Sequence, residues 1–410
     1  MAAASAGSRG LRVLVLEKNR KVGVKILMSG GTRCNITHNC DVRGIAEAFG
    51  RQGKFLRSAL AALTPEQVIE KIEAQGVATK VEETGKIFPV SNKAIDVRDA
   101  LVRLANEAGA TILTEQPVES VSLRPDEQPT QLFTVQTPGR SYSARSLIIT
   151  TGGKSYPGCG TTGDGYAWAK QFGHSIVPTV PALAPVVCEL GWVCDLQGIT
   201  IQDVRMSVLA IPAKRKQKPL DERRGPLLFT HFGFSGPTAM NLSRAITRFR
   251  ADRRPGDEPQ SLVIRCDFLP DIKIDTLLQQ FRQRQQSKGK QSIAQSLADW
   301  FPRRLAETLV VQAGIPPAQR YAELGKQMAQ RLAQAIKQND CPVRKTLGYK
   351  KAEVTAGGVS LAEVDSRNMQ SKLQQGLFFA GEILDLDGPI GGFNFQAAFS
   401  TGWLAGTHLS

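Results

Sequence analysis

The chain has 410 residues, of which 41% are hydrophobic and 22% are charged, a composition typical of soluble globular proteins. That length is too great for a single hydrophobic core, so we expect two or three domains. No apolar run approaches the ~20 residues that a membrane-spanning helix needs. The N-terminus also lacks the basic segment of a secretory signal.

Charge is the unusual bulk property of the sequence. With 52 Lys and Arg against 37 Asp and Glu, the net charge is +15, and such a field attracts polyanions. From the net charge alone, phosphate binding and simple solubility are equally good explanations. The clustering of basic residues in the middle third favours a polyanionic partner. The residues concerned are Lys214, Arg215, Lys216, Lys218, Arg223, Arg224, Arg282, Arg284, Lys288, Lys290, Arg303 and Arg304.

The seven cysteines are scattered along the chain, without a Cys-x-x-Cys pair and with few histidines near them. This spacing argues against a zinc site and against a disulfide framework. We therefore predict that the chain holds no metal and works in the reducing environment of the cytoplasm.

The predicted elements of the N-terminal part alternate between helices and strands. Residues 2–10 are Ala-rich and close with glycine, like the end of a helix. Residues 11–17 form a short apolar run that ends in an acid, which predicts a buried parallel strand. The further predicted elements are helices at 65–75 and 96–108, strands at 111–113 and 118–123, a Pro-rich turn at 125–129, paired strands at 132–137 and 141–150, and a helix at 166–173.

The pattern changes in the middle of the chain. Prolines spread over 178–185 mark a domain crossover. Residues 186–267 alternate like strands, and residues 275–336 predict polar-faced helices. Strand and turn return at 353–358, and the segment 376–410 is strand, loop and helix. An α/β domain therefore occupies both ends of the chain and is interrupted between them.

The C-terminal stretch is the most informative part of the sequence. A short buried strand at 376–380 leads into a carboxylate, and a glycine pair then leads into the N-terminus of an apolar helix. That geometry offers backbone N–H groups and a positive dipole end to an electron-rich ligand. A flavin ring is such a ligand, because its N1–C2=O edge gains negative charge on reduction. The residues of this predicted site are Gly381, Glu382, Gly391, Gly392, Phe393 and Asn394.

Three further segments carry candidate binding residues. Glu17 ends the first strand, where an acid in a dinucleotide-binding fold bonds the adenosine ribose, although many strands end in Glu. A glycine pair precedes Arg33 and Asn35, whose side chains suit a pyrophosphate or belong to a plain surface turn. Gly152 opens a second glycine-rich loop after a strand, and this loop lacks the Gly-Lys-Ser/Thr ending of a phosphate-binding loop.

Cys34 and His231 each have two interpretations. A buried cysteine is usually a packing residue, although the Cys34 thiol is also a candidate proton donor or redox group. His231 lies among small and aromatic residues, where it either packs or positions a planar substrate.

Taken together, five segments in order resemble the HI0933-like flavoproteins, a branch of the two-dinucleotide-binding-domain oxidoreductases. The resemblance implies a Rossmann-like FAD-binding domain interrupted by a β-barrel-like domain and a helical domain. The matching segments are 14–19, 25–35, 151–157, 229–237 and 379–394. The implied domains are 1–185 and 356–410 for FAD binding, 186–270 with about 340–355 for the β-rich insertion, and 271–339 for the helical insertion.

The resemblance also implies roles for individual residues toward an extended FAD. Glu17 would hold the adenosine ribose, and the backbone of Val118 would meet the adenine. Arg33 would lie along the pyrophosphate, and Glu382 would bind on the ribityl side. The helix N-terminus would face the flavin ring. The full set of implied cofactor-binding positions is Glu17, Lys18, Arg33, Asn35, Val118, Gly152, Gly381, Glu382, Gly391, Gly392, Phe393 and Asn394.

One feature departs from the family pattern. Family members begin with a strand and a Gly-x-Gly-x-x-Gly loop, whereas this sequence begins inside what reads as the first helix. We hypothesise a misplaced start codon or a truncated chain, so that the FAD-binding domain is N-terminally truncated. A chain that truly begins at Met1 would bind FAD weakly.

The resemblance implies that NAD(P)H binds transiently and reduces FAD, which then reduces a uridine in ribosomal RNA to dihydrouridine. The base would be extruded to reach the flavin, and the basic middle segments would hold phosphates. The proton donor is unassigned, with Cys34, His231 and Tyr156 as candidates. Two alternatives stay open: a reductase of a small enone-type metabolite that uses the same flavin, and a non-catalytic RNA-binding factor that has lost the cofactor.

Overall fold

The structure is a computed structural model that describes residues 1–123, 133–212, 218–253 and 260–410. The predicted turn at 125–129 and the basic triplet at 214–216 lie outside these ranges.

The described residues divide into two units. We call Met1–Pro181 with Ala352–Ser410 the terminal unit, and Ala182–Lys351 the inserted unit. Each contains helices and strands, which confirms the predicted α/β class. The finer division of the insertion into a β-rich and a helical domain stays a prediction.

The elements of the described residues are numbered in chain order. The helices are α1 (Ala2–Gly7), α2 (Val24–Met28), α3 (Val42–Ala48), α4 (Gly53–Ala62), α5 (Pro65–Ala74), α6 (Ala94–Glu107), α7 (Asp164–Gln171), α8 (Gly191–Asp195), α9 (Gly236–Ala251), α10 (Ile274–Lys288), α11 (Ile293–Leu297), α12 (Arg303–Gln312), α13 (Lys326–Lys337) and α14 (Phe393–Thr407). The strands are β1 (Leu14–Leu16), β2 (Thr37–His38), β3 (Thr79–Val81), β4 (Lys86–Pro89), β5 (Thr111–Leu113), β6 (Ser120–Leu123), β7 (Phe133–Thr137), β8 (Arg140–Ala144), β9 (Leu147–Ile149), β10 (Ile176–Ala182), β11 (Val186–Val187), β12 (Thr200–Ile211), β13 (Asp221–Thr230), β14 (Gly233–Ser235), β15 (Ser261–Asp267), β16 (Asn339–Pro342), β17 (Lys345–Thr346), β18 (Val354–Val359) and β19 (Leu377–Phe379).

Parallel strand pairs organise the terminal unit. β1 pairs with β5, with Val15 opposite Ile112, and β9 pairs with β19, with Ile149 opposite Phe379. Every residue of β19 is buried, as expected for a parallel strand that is covered on both faces. Loops that leave the C-terminal ends of such strands are the usual place for ligands in α/β folds.

The helix α14 forms the centre of the terminal unit's core. It packs against α1 and α4, and its Leu404 joins a buried cluster with Phe378 and Phe379. The helix is apolar on nearly all sides, which is the pattern of a fully buried helix. Its buried Gln396 accepts a hydrogen bond from Thr37 Oγ1 at 2.7 Å, which fixes the first turn of α14 to β2.

The prediction of one strand at 141–150 is wrong, because this segment forms parts of two sheets. β8 pairs antiparallel with β7, whereas β9 pairs parallel with β19. The physical reason is the difference in polarity between the two halves. β8 carries polar residues and lies mostly in solvent, while the apolar β9 packs into the core.

The inserted unit is built on an antiparallel seven-stranded sheet with the order β16-β15-β12-β13-β14-β11-β17. The predicted helical run at 275–336 contains α10 to α13. α10 buries only Leu277 and Phe281, which confirms a polar-faced helix. No helix of the described residues has the length and apolarity that crossing a membrane requires.

Candidate cofactor site

Two glycines bring the N-terminus of α14 close to β2. Gly391 and Gly392 have φ angles of 143° and 91°, in the range that favours glycine. A Cβ atom at Gly392 would lie 2.5 Å from the backbone carbonyl of Thr37, so no other residue fits there. The close approach fixes a helix end that offers backbone N–H groups and a positive dipole.

The side chain of Asn35 also holds this helix end in place. With its amide oriented to satisfy its neighbours, Asn35 accepts from the Gly392 N–H at 2.9 Å and donates to the Thr37 carbonyl at 2.9 Å. Its side chain is buried. The Gly392 N–H is therefore used inside the protein, and the predicted contact with the flavin would need later N–H groups of the first turn.

His38 covers the same turn. Its Nδ1 lies 3.0 Å from the Gly391 carbonyl oxygen, and its ring stacks on Phe393 with the ring centroids 4.6 Å apart. Since a carbonyl oxygen only accepts, Nδ1 carries the proton in this contact. The Phe393 side chain is thus part of the packing, and its predicted contact with the cofactor would involve the backbone.

Asn394 also uses its side chain within the protein. Its Oδ1 accepts from the Gly388 N–H at 2.8 Å, and its Nδ2 donates to the carbonyls of Gly388 at 2.9 Å and Pro389 at 3.3 Å. The side chain fixes the loop that leads into Gly391. As for Phe393, only the backbone of Asn394 is available for the predicted role.

Glu382 is the centre of a hydrogen-bond network. Its Oε1 accepts from Ser155 Oγ at 2.7 Å and from the Thr355 N–H at 2.9 Å, and its Oε2 forms an ion pair with Lys25 Nζ. Lys25 Nζ also donates to Ser155 Oγ at 3.2 Å. Both carboxylate oxygens are therefore engaged, and Glu382 joins α2, the glycine-rich loop after β9, and β18.

The glycine-rich loop is fixed on β18 by one hydroxyl group. Thr355 Oγ1 accepts from the N–H groups of Lys154 at 2.8 Å and Ser155 at 3.1 Å. A Cβ atom at Gly153 would lie 2.3 Å from the same oxygen, and Gly152 has a φ of 73°. Both glycines are needed for the loop to reach β18.

The predicted adenosine end lies where β1 stops. Glu17 follows β1 directly, and its Oε1 accepts from the Asn19 N–H at 2.8 Å. Lys18 Nζ donates to Thr162 Oγ1 and Asp164 Oδ2, both at 2.6 Å. Desolvation acts to raise the pKa of Asp164, but the hydrogen bonds from Lys18 and Thr162 bring it below its ordinary value. Lys18 thus connects the loop after β1 to α7.

Arg33 and Cys34 lie at the turn before β2. Arg33 Nη1 pairs with Glu82 Oε1 at 2.7 Å, and its guanidinium lies 4.0 Å from the centroid of the Phe88 ring. Cys34 is fully buried, and burial raises the pKa of its thiol to about 12, although a hydrogen bond with Ser29 acts in the opposite direction. A protonated, inaccessible thiol supports the packing interpretation of Cys34.

Two other predicted residues belong to other elements of the chain. Val118 is half-buried against the core of the terminal unit, just before β6. His231 belongs to the inserted unit, at the turn between β13 and β14, where its ring meets Phe232 edge-on with centroids 4.9 Å apart. Within the described ranges, no group of His, Cys, Asp and Glu side chains could hold a metal ion.

Lys25, Ser155 and Thr355 had no predicted role, although each belongs to the hydrogen-bond network of Glu382. The first two fall inside segments that resemble the family. Thr355 carries no such signal, because a threonine in a short apolar strand is an ordinary strand residue.

The donor set of the terminal unit fits FAD. An acid stands at the end of a parallel strand, a glycine-rich loop follows another, and a glycine pair leads into a helix N-terminus. These features define an FAD-binding oxidoreductase of the Rossmann type.

The comparisons with known proteins agree with this class. A family model described as HI0933-like protein Rossmann domain matches residues 1–408, and the chain belongs to this family of FAD-dependent oxidoreductases. The chain is 32% identical over 406 residues to the ribosomal RNA dihydrouridine synthase of Escherichia coli strain K12, covering 99% of this chain and 94% of that protein. It is 29% identical over 406 residues to the 3-dehydro-bile acid delta(4,6)-reductase of Clostridium scindens, with the same coverage of 99% and 94%.

Among solved structures, the open conformation of a flavocytochrome c3 fumarate reductase aligns with 99% of this chain and 75% of that chain, at 16% identity and a TM-score of 0.47. The interpretation as a non-catalytic factor without cofactor is not retained, since the family is one of FAD-dependent oxidoreductases.

Proposed function

We propose that this oxidoreductase reduces a uridine in ribosomal RNA to dihydrouridine in the cytoplasm, with NAD(P)H as the electron donor. The observation that carries the proposal is the 32% identity, over 406 residues, with a protein named ribosomal RNA dihydrouridine synthase. Bound FAD would supply the hydride. The residues of the terminal unit would orient the cofactor and deliver a proton to the base.

The distribution of charge supports an RNA substrate. The inserted unit, Ala182–Lys351, contains 28 Lys and Arg against 15 Asp and Glu, so it carries +13 of the net charge of +15. The terminal unit is close to neutral by comparison. A strongly basic unit in the same chain as a redox domain suits a flavoenzyme that holds a polyanion.

Many of the basic residues predicted to hold phosphates are already paired within the protein. The pairs are Arg223 with Asp221, Arg224 with Asp203 and Asp271, Arg284 and Lys288 with Asp299, and Arg303 with Glu307. Arg282 and Lys290 are exposed and have no ion-pair partner in the part of the chain that the structure describes. We assign these two side chains to phosphate contacts.

Nucleoside mass spectrometry of ribosomal RNA tests the proposal. Cells that lack the gene should lose one dihydrouridine, and the wild-type gene should restore it. The Gly392→Ala variant should not restore it, because the helix end is displaced. An unchanged dihydrouridine content in the deleted strain would remove the proposal.

A reductase of a small enone is the second candidate. It is favoured by the 29% identity with a protein named 3-dehydro-bile acid delta(4,6)-reductase. The two candidates differ in how the reduced flavin is reoxidised. Reoxidation by ribosomal RNA that weakens steeply with salt supports the first, and salt-insensitive reoxidation by a 3-keto-4-ene steroid without RNA supports the second.

A further inference from the structure

A groove between α8 and α12 of the inserted unit has no part in the cofactor site. It has a volume of about 340 Å³, and it is lined by residues of these two helices and by Leu196, which follows α8. Cavities that bind ligands have volumes of about 300–1,000 Å³, so this one is at the lower end and suits a single planar group. We call it the α8–α12 groove.

Helical periodicity places the lining side chains on one stripe of each helix. Trp192 and Asp195 are three residues apart on α8. Arg304, Glu307 and Val311 follow one another on α12 at intervals of three and four residues. The opposite side of α12 lies in the hydrophobic core of the unit. Because the core fixes α12 in this orientation, the groove is a preformed feature of the surface.

The apolar part of the groove offers an aromatic ring to a ligand. Trp192 is half-buried, and its ring is supported by the Phe229 ring, with the centroids 6.3 Å apart and the planes at 55°. Leu196 is almost fully buried, whereas Val311 on the other helix is 52% exposed. A planar group in the groove would therefore meet a supported indole ring and an aliphatic side chain. This combination suits the stacking of a nucleobase.

Arginines stand at both ends of α12. Near its start, Arg304 Nη2 donates to the backbone carbonyl of Asp195, and Arg304 has no ion-pair partner within the ranges that the structure describes. Just past its end, Arg331 Nε donates to the carbonyl of Ala313 at 2.8 Å. The unit around them carries +13 of the net charge. A nucleic acid strand that crosses the groove would have cations on either side for its phosphates.

Carboxylates among the lining residues indicate which bases fit. Asp195 is exposed, and Glu307 accepts from Arg303 Nε on its Oε1 at 2.8 Å. Carboxylates accept hydrogen bonds from the exocyclic amino groups of cytosine, adenine and guanine, whereas uracil offers only a ring N–H. The groove therefore suits another base of the RNA and not the uracil that is reduced.

We propose that the α8–α12 groove binds one unstacked, amino-bearing base of the RNA substrate, with Trp192 as the stacking surface and Arg304 at an adjacent phosphate. A free small metabolite fits less well, because Asp195, Arg304 and Val311 leave the groove open to solvent. A base within a strand is also held by the phosphate contacts on either side, which raises its effective concentration at the groove. The inference rests on the proposed function only in taking RNA as the substrate.

The first test observes Trp192 directly by ¹⁹F NMR. The full chain is labelled with fluorotryptophan and saturated with FAD, and the Trp192 resonance is identified by its loss in Trp192→Phe. On addition of a short single-stranded oligocytidylate, we expect the Trp192 resonance to shift more than those of the other tryptophans. An oligouridylate of equal length should shift it less at the same concentration. A Trp192 resonance that both oligonucleotides leave unchanged would overturn the proposal.

The second test measures affinity for ribosomal RNA from cells that lack the gene, at constant salt. Trp192→Ala should weaken binding about 5- to 150-fold, the usual effect of losing one stacked base, and Trp192→Phe should weaken it less because a ring remains. Val311→Glu changes the groove at an exposed position and should also weaken binding. Its matched control is Ile274→Glu, which adds the same charge at another exposed aliphatic residue of the inserted unit. Equal RNA affinities of the two Glu variants would contradict the proposal.

The outcomes separate the groove from the proposed reaction. If Val311→Glu binds RNA as tightly as Ile274→Glu, and the wild-type gene restores dihydrouridine to the deleted strain, the reaction stands and the groove fails. If the groove variants lose RNA affinity as expected but the deleted strain keeps its dihydrouridine, the groove stands and the reduction of uridine fails. If Val311→Glu leaves RNA affinity unchanged and instead dissociates a dimer seen by light scattering, the groove is an interface between two copies of the chain and the proposal is overturned.

Discussion

The side chain of Asn35 accepts the backbone N–H of Gly392 at 2.9 Å, and this contact joins the two ends of the chain at the cofactor site. The first part of the terminal unit supplies the amide, and the second part supplies the helix end. The direction of the α14 dipole therefore depends on a residue far away in sequence. Both groups are buried or held by close packing, so removal of this contact should have a measurable effect on FAD binding.

Asn35→Leu should weaken FAD binding. An unpaired Gly392 N–H costs about 1–3 kcal/mol, which corresponds to an affinity lower by about 5- to 150-fold. Quenching of FAD fluorescence during titration measures this affinity. Asn35→Asp retains the acceptor and should recover part of the loss. Wild-type affinity in the Leu variant would contradict the role of the contact.

Gly392→Ala and Gly402→Ala form a matched pair on α14. The first places a Cβ atom 2.5 Å from the Thr37 backbone, and the second places one 3.5 Å from its nearest neighbour, the Ala2 nitrogen. We expect Gly392→Ala to lower the melting temperature and to abolish FAD binding. Gly402→Ala should be neutral or more stable by up to about 1 kcal/mol, through its helix propensity. Equal effects of the two changes on FAD binding would rule out a special role for Gly392.

Lys25 and Glu382 should be energetically coupled. Their side chains are largely buried, with 28% and 19% of their surfaces exposed, so removing one partner leaves a poorly solvated charge. Denaturant unfolding of Lys25→Met, Glu382→Gln and the double variant gives the coupling free energy. We expect about 1–3 kcal/mol. Additive effects of the two single changes would show that the ion pair is unimportant for stability.

His174 should make the stability of the terminal unit depend on pH. It is buried, with Nε2 at 2.7 Å from Ser371 Oγ and Nδ1 at 3.4 Å from Glu363 Oε2. Burial lowers the pKa of His174, although Glu363 acts to raise it. The unfolded chain then binds more protons, so stability is complete above the unfolded pKa of about 6.5 and is lost as the pH falls through the lower folded value.

The measurement is a series of urea midpoints from about pH 7 down to about pH 5. The midpoint should fall with pH in the wild type and fall less in His174→Gln. Parallel curves for the two proteins would contradict the assignment to His174.

Neutralising exposed basic residues should change the salt dependence of RNA binding. Arg282→Gln with Lys290→Gln removes two unpaired charges, and each phosphate contact that is lost should reduce the slope of log K against log salt by about 1. Arg223→Gln with Arg303→Gln removes two charges that are paired within the protein and serves as the control. The same change of slope in both double variants would show that only net charge matters.

The sequence predicted the elements that depend on residues close together in the chain. The apolar run before Glu17, the helix α5 and the glycine pair before α14 were all visible in the sequence, and the structure contains them. The break between β8 and β9 was not visible, because it depends on pairing with β19, which is distant in sequence. For the same reason, the sequence did not predict the hydrogen-bond network of Glu382, whose partners come from three separate segments.

The assignment of residues to the ligand depends on which groups the protein already uses. Asn35 and Asn394 were predicted to face the cofactor, but their side chains bond to the protein itself. Sequence motifs show that polar residues gather at a site, whereas only the structure shows which of their hydrogen-bonding groups are already occupied.

The proposed chemistry requires that the terminal unit binds FAD at the helix end fixed by Asn35 and Gly392. The direct test is to incubate the purified protein with FAD, remove free cofactor, and record the visible spectrum of the wild type beside Gly392→Ala and Gly402→Ala. The wild type and Gly402→Ala should retain a bound yellow flavin, and Gly392→Ala should be colourless. A folded wild-type protein that retains no flavin, or a Gly392→Ala variant that retains as much as the wild type, would contradict this requirement.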